Sequence, residues 1–323
     1  MPNINIAWWN LENLFDHETA PRDDELKSTL RSELKGWTAS IRDKKIFQLS
    51  NIIKLMFGGS GPSLLGVCEV ENEAVMARLA GAINVPGRNY AVISHESHDA
   101  RGIDTSFIVD TNELTVLSTA HQVVIKRSAT RDLFWVRLRV NATGAEFVAI
   151  ANHWPSRSAG QYSSEPFRII AGETHSYIVS RLIDEGQGGE KNLPVISMGD
   201  YNDEPFNRSI EEYALGTRDP GRVRYSKSGH LQNLMWPLMQ GNDPGTYLFG
   251  SDWNMLDQFL VSYGMLRTAS PVRAKLESVA IFKPAVLTAS SGKPRKFSRP
   301  SVKGGADLEG YSDHFPITVE LIV

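Results

Sequence analysis

A chain of 323 residues with 41% hydrophobic and 22% charged side chains has the composition of a globular enzyme and is long enough to bury a large core. Its single cysteine, Cys68, excludes an intramolecular disulfide and any cysteine-based zinc cluster, so oxygen ligands are the expected route to a metal. The net charge of −3 argues against a protein that coats nucleic acid, yet the charge is uneven: from Gly264 to Lys303 nine Lys or Arg accompany one acid, Glu277, against 25 basic and 36 acidic residues elsewhere.

The opening stretch "MPNINIAWWNLENLFD" has neither a basic leader nor an apolar leader core, and no apolar run of about 18 residues occurs, so a cytoplasmic protein without a spanning helix is expected. "NINIAWWN" predicts the first strand, ending in Asn10. Helical periodicity follows at Ile46, Leu49, Ile52, Ile53 and Met56. The glycines between Gly58 and Pro62 lack the Lys-Ser/Thr of a phosphate-binding loop and read as a helix-to-strand turn. "SLLGVCEV" predicts a strand ending near Glu69, and Val75, Leu79 and Ile83 mark a second helix. Further strands are predicted over "YAVIS", "DTSFIVD", "LFWVRLRV" and "EFVAIANH", then a third helix between Phe167 and Leu182. "LPVISMGD", "LDQFLVS" and "FPITVELIV" complete the strands. Strands and helices interleave with no repeat and no linker, which indicates one domain over residues 1–323 of the α/β or α+β class.

Polar residues recur at the strand ends. Asn10, Glu69, Asn152 with His153, Asp200 with Asn202, Asp257, and Asp313 with His314 all occupy such positions. Any one of them is explained by turn chemistry. Together they supply carboxylates, amides and two imidazoles without a thiol, an inventory suited to Mg²⁺ or Mn²⁺ and to phosphoryl transfer.

In chain order, "WWNLENLFD", "GVCEVEN", "DARGIDTSFIV", "ANHWPSR", "MGDYNDEP", "WNMLDQFLVS" and "GYSDHFPI" resemble the motifs of the endonuclease/exonuclease/phosphatase superfamily. The resemblance covers nearly the whole chain. It implies a DNase I-like fold, a four-layer α/β/β/α sandwich of two packed mixed β-sheets. It further implies a divalent-metal phosphodiesterase in which Asn10, Glu69 and Asp313 hold the metal and Asp200 orients or deprotonates the attacking water. By the same resemblance Asn202 hydrogen-bonds water or phosphate, His314 contacts the phosphate with Asp257 behind it, and His153 serves as general acid or electrostatic clamp.

Within "VISMGDYNDEPF", Asp200 and Asn202 are expected to share a side, while Asp203 and Glu204 are assigned to a solvent-facing turn closed by Pro205. Arg101, Asp104, Asn152, Arg157, Arg168, Trp253, Arg295 and Lys296 are further candidates for substrate contact. For Asp104 the options are support of His153 or a structural ion pair with Arg101; for Arg157 and Arg168, a phosphate grip or a surface charge; for Trp253, a substrate contact or core packing. "SHESHD" reads as a loop near the site in preference to a zinc site. The favoured substrate is DNA or RNA, with a small or lipid phosphoester as the alternative and a non-catalytic scaffold last. A monomer without an obligate protein partner is expected.

Overall fold

The computed structural model describes residues 3–226, 229–241 and 244–323, whose strands gather into two mixed sheets and a small hairpin. The first sheet has the spatial order β14 (Arg273–Ile281), β15 (Ile317–Ile322), β1 (Asn3–Leu14), β2 (Leu64–Val70), β4 (Asp104–Asp110) and β3 (Tyr90–Ser94). The second has the order β5 (Leu114–Gln122), β6 (Leu133–Val140), β7 (Glu146–His153), β8 (Val195–Asp200), β13 (Asp257–Val261), β10 (Leu231–Asn233) and β9 (Gly216–Thr217). β11 (Tyr247–Phe249) and β12 (Asp252–Asn254) form the hairpin. Each large sheet has a parallel pair near its middle, β1 with β2 and β7 with β8. A parallel pair needs a crossover, and helices supply it in both cases.

Side chains alternate across a strand, so β1 divides its apolar residues between two cores. Ile4, Ile6 and Trp8 point between the sheets, where they meet Val136, Phe147, Ala149, Met198 and Phe259 of the second sheet. Ala7, Trp9 and Leu11 point outward against Ile46, Leu49 and Ile52 of a helix, Ala39–Leu55, and Val75 and Leu79 of another, Glu73–Ala82. Thr38 and Asn72 cap those two helices by accepting from Ile41 N and Val75 N. On the far side Val148, Ile150 and Val195 pack on Ala171, Ile178 and Val179 of the long helix Gln161–Ile183. The layers are therefore helix, sheet, sheet, helix, the DNase I-like sandwich that the resemblance implied. Trp8 and Trp9 are fully buried on opposite faces of β1, and truncating either costs about 3–5 kcal/mol.

Six strands escape the sequence pattern: the two- and three-residue strands β9, β10, β11 and β12, too short to show a period, and the longer β5 and β14. β5, "LTVLSTAHQ", and β14, "RAKLESVAI", lie at sheet edges with much of their length exposed, so burial imposes no clean alternation on them. β14 also places Arg273 and Lys275 of the basic segment on a strand, where Lys275 pairs with Glu320 at 2.9 Å. A small cluster of Phe15, Leu30, Trp37, Ile103 and Phe297 seats the rest of that segment against the end of β1.

Candidate active site

Strand register sets the site. His153 stands beside Asp200 and Asp200 beside Asp257 across the adjacent ends of β7, β8 and β13. Gly199 is required there, because a Cβ at that position would lie 2.4 Å from the Asn152 Cβ. In the facing sheet Asn10 is in register with Cys68, which brings Asn10 and Glu69 together at the ends of β1 and β2. The segment entering β15 adds Asp313 and His314.

Because the sheets lie face to face, these ends converge. Asn10 Nδ2 donates to Glu69 Oε1 at 3.3 Å and to Asp200 Oδ2 at 3.0 Å. His153 Nε2 is 3.8 Å from Glu69 Oε1, and His314 Nε2 is 4.0 Å from Asp200 Oδ2. His314 Nδ1 is 2.7 Å from Asp257 Oδ2, while Trp8 Nε1 donates to the other Asp257 oxygen at 2.9 Å. Glu12, Asn13, Glu69 and Asn202 have positive φ of 53°, 57°, 61° and 52°. Such non-glycine backbone costs on the order of 1–3 kcal/mol each and persists only where the surroundings enforce it. Here the site's own side chains do so: Asn10 Oδ1 accepts from Glu12 N, Glu69 Oε2 from Asn13 N and Asp200 Oδ1 from Asn202 N, each at 2.9 Å.

The electrostatics follow from burial among like charges. Burial pushes the Asp200 carboxyl up to about 6, against the pull of His314. Burial and then the neighbouring Glu69 raise Asp313. Burial works against an imidazolium at His314, but Asp257, Asp200 and Asp313 outweigh it and hold the ring well above its usual range. His153 is held well below that range by burial and by Arg131, Arg101 and His314. The pair is thus split into a charged His314 and a neutral His153.

Several sequence expectations are corrected. Asp203 and Glu204 do not face solvent: Asp203 is buried against Arg168 at 2.8 Å and Arg157 at 3.1 Å, and Glu204 accepts from Met255 N at 2.9 Å. Arg168 is fully buried in that pair and neither grips a phosphate nor lies at the surface. Arg157 spends its guanidinium on Asn202 O, Asp203, Asn254 and Asn207, which makes it a clamp on the turn carrying Asn202. Asn152 is fully buried and donates to Ser197 Oγ and Met198 O, so it is core and not a substrate contact. Arg101 binds Asn13 and Glu33 and not Asp104, whose carboxylate takes Ser97 N and Oγ. Asp104 does not support His153, whose buried Nδ1 has no hydrogen-bond partner among the described residues. Trp253 stacks on Phe315 with Lys283 Nζ 4.7 Å from its ring, the core alternative.

Other residues were missed. The Tyr247 ring stacks on His314 with centroids 4.7 Å apart, and burial among Asp313, Asp200, Glu69 and Glu12 pushes its hydroxyl up to about 12. An aromatic that opens a three-residue strand gives no sequence signal. Glu12 accepts from Phe297 N at 2.8 Å and Ser298 N at 3.0 Å, which ties the basic loop to β1. Lys45, which sequence places in a charged run, is fully buried, and its Nζ donates to Glu12 O.

Comparisons with known proteins bear on the family and the fold. The profile described as the Endonuclease/Exonuclease/phosphatase family matches residues 5–322. A Bacteroides thetaiotaomicron mannosyl-6-phosphatase superposes with a TM-score of 0.58 at 15% identity, over 99% of this chain and 100% of that one. A humanized Danio rerio TDP2 does so at 0.60 and 12% identity, over 99% of each chain. The human Nocturnin catalytic domain does so at 0.52 and 14% identity, over 100% of this chain and 95% of that one. No curated protein matches the sequence significantly. With a matched profile over nearly its full length and the sandwich to go with it, the chain belongs to the endonuclease/exonuclease/phosphatase family of phosphoester hydrolases.

Proposed function

We propose that the protein hydrolyses nucleic-acid phosphodiester bonds by attack of water, with Mg²⁺ or Mn²⁺ as cofactor. The observation that carries this reading is a cavity of about 1100 Å³ with Lys293, Arg295, Lys296, Arg299 and Lys303 in its lining and Glu12 and Asp313 in its wall. Arg295 and Arg299 are balanced by Asp307 and Glu33, whereas Lys293, Lys296 and Lys303 have no ion pair among the described residues. A substrate with one phosphate needs one grip at the metal; a wide cavity with several cations suits a chain of phosphates.

Asn10, Glu69 and Asp313 would hold the cation. They fit it by chemistry, since an amide and two crowded carboxylates are hard ligands and the raised Asp313 is the mark of acids awaiting a positive charge. Held by these residues, a divalent ion would supply the positive charge that an anionic phosphate and its leaving group need. Asp200, poised at about 6, takes the proton of the attacking water. Asn202 gives Trp154 O one amide hydrogen at 2.9 Å and offers the second to water or phosphate. His314, charged and oriented by Asp257, binds a phosphate oxygen. His153, held neutral, donates a hydrogen bond to the phosphate, the clamp role of its two alternatives.

The test is a panel of supercoiled DNA, single strands, RNA, inositol phosphates, sugar phosphates and sphingomyelin with Mg²⁺ or Mn²⁺ and an EDTA control. Cleavage of DNA or RNA that EDTA abolishes is the expected result. Turnover confined to the small or lipid phosphoesters would overturn the nucleic-acid reading and establish the alternative.

A further inference from the structure

We propose a second metal site, built from His95, His121 and Asp132 and suited to Zn²⁺, that joins the free edges of the two sheets. β3 is the last strand of the first sheet and β5 the last strand of the second. His95 follows β3 directly, His121 lies on β5, and Asp132 precedes β6. Their ligand atoms all fall within 4.8 Å of one another.

Two observations point beyond simple packing. His95 Nε2 is 2.8 Å from Asp132 Oδ2, but Asp132 is 4% exposed and its other oxygen, Oδ1, is buried without a hydrogen-bond partner. A buried carboxylate with an unused oxygen carries a desolvation cost that a cation offsets. The second observation is His121, whose ring is exposed yet lies on His95 with centroids 3.9 Å apart and planes 20° apart. Two imidazoles and a carboxylate make the nitrogen-rich set that Zn²⁺ takes with a water in the fourth position. Hard Mg²⁺ prefers the oxygen set of the active site.

Stacked planes cannot both contain one ion, so the His121 ring turns out of the stack on binding, which its exposure permits. The ion takes the place of the proton between His95 and Asp132; the neutral His95 ring then carries its proton on Nδ1 and offers the Nε2 lone pair to the ion. Arg131, next to Asp132, bonds Asp99 and Trp154 O, each at 3.0 Å, so the backbone that carries Asp132 is held before any ion binds.

The test strips the whole protein with a chelator and titrates Zn²⁺ by calorimetry in millimolar Mg²⁺. Wild type takes up one tight equivalent. His121→Ala and Asp132→Asn weaken it by more than the roughly 10-fold to 100-fold lost with a merely supporting partner. His121→Ala leaves Mg²⁺-dependent hydrolysis of a small diester unchanged. Glu69→Gln, which disables the other metal site, keeps the tight equivalent. With Cu²⁺ as probe, electron paramagnetic resonance reads two coupled imidazole nitrogens in wild type and one in His121→Ala. No tight equivalent in wild type, one that survives His121→Ala, or one that disappears in Glu69→Gln would each overturn the site.

Discussion

His314 Nδ1 and Asp257 Oδ2 sit 2.7 Å apart across 57 residues of chain, and Trp8 from the other sheet holds the second Asp257 oxygen. Asp257 is the carboxylate that does most to keep His314 charged once burial has been overcome. Asp257→Asn removes that charge and keeps the shape. Turnover should fall by roughly 10²-fold to 10³-fold, the size of a lost charged donor to the phosphate. The sign of the pH effect is fixed: a raised imidazole that loses its raising partner deprotonates at lower pH, so the alkaline limb of the rate profile moves down. A pH–rate profile with an unmoved alkaline limb would contradict the assignment.

Tyr247 stacks on that imidazolium from the hairpin. An aromatic pair contributes about 0.5–1.5 kcal/mol beyond its burial, so Tyr247→Leu should lower kcat/KM by roughly 2-fold to 13-fold. Tyr247→Phe keeps the ring and should lose less. Steady-state kinetics of both variants check the order, and a reversed order would assign the effect to the hydroxyl.

The unpaired lysines of the cavity give a substrate-specific expectation. Replacing Lys293, Lys296 and Lys303 together by Ala should weaken oligonucleotide binding and flatten its salt dependence by about 0.7 per lost contact for a single strand. Hydrolysis of a small chromogenic diester should not change. A titration in salt of both substrates, wild type against variant, reads the difference directly.

Arg168 is a stability residue. Removing one partner of a buried ion pair costs about 3–5 kcal/mol, and since Asp203 retains Arg157 and Ser209, Arg168→Ala should lie near the lower figure. Urea unfolding measures it; a cost below about 1 kcal/mol would place the guanidinium in solvent, as for an ordinary surface pair.

His175 predicts an acid-sensitive fold. It is fully buried between Trp154 and Tyr201, with Ser197 Oγ 2.7 Å from Nε2, and burial lowers it from 6.5 to about 4. The unfolded chain therefore binds the proton first, and stability is lost as the pH falls from about 6.5 towards about 4. Between pH 7 and pH 5 the loss is about 2 kcal/mol from this one residue. His175→Gln should lack that part of the pH dependence, which denaturant titrations at the two pH values will show.

Much of the fold was legible in the chain. Strands such as "DTSFIVD" and "LPVISMGD" contain β4 and β8, because a strand buried by its neighbours must be apolar along most of its length. The periodic run from Ile46 to Met56 became the helix on the outer face of the first sheet. The exposed edges β5 and β14 were illegible for the converse reason. Asn10, Glu69, His153, Asp200, Asn202, Asp257, Asp313 and His314 were named from their places at strand ends and from the family resemblance, and the strand register brings those ends to one edge of the sandwich. Tyr247 was not, because its contribution is a position and not a functional group.

What the sequence determined by itself was therefore the class and order of the elements and a set of candidate polar groups at strand ends, both local properties of residue type and spacing. Partnership belonged to the tertiary structure. Asp203 and Glu204 follow Asp200 within four positions and look equivalent to it on paper. Arg168, coming from the long helix, and Met255 N, next to β13, turned both acids into buried struts. Only contacts made across the fold could supply those partners, and for a buried charge the partner decides between structure and chemistry.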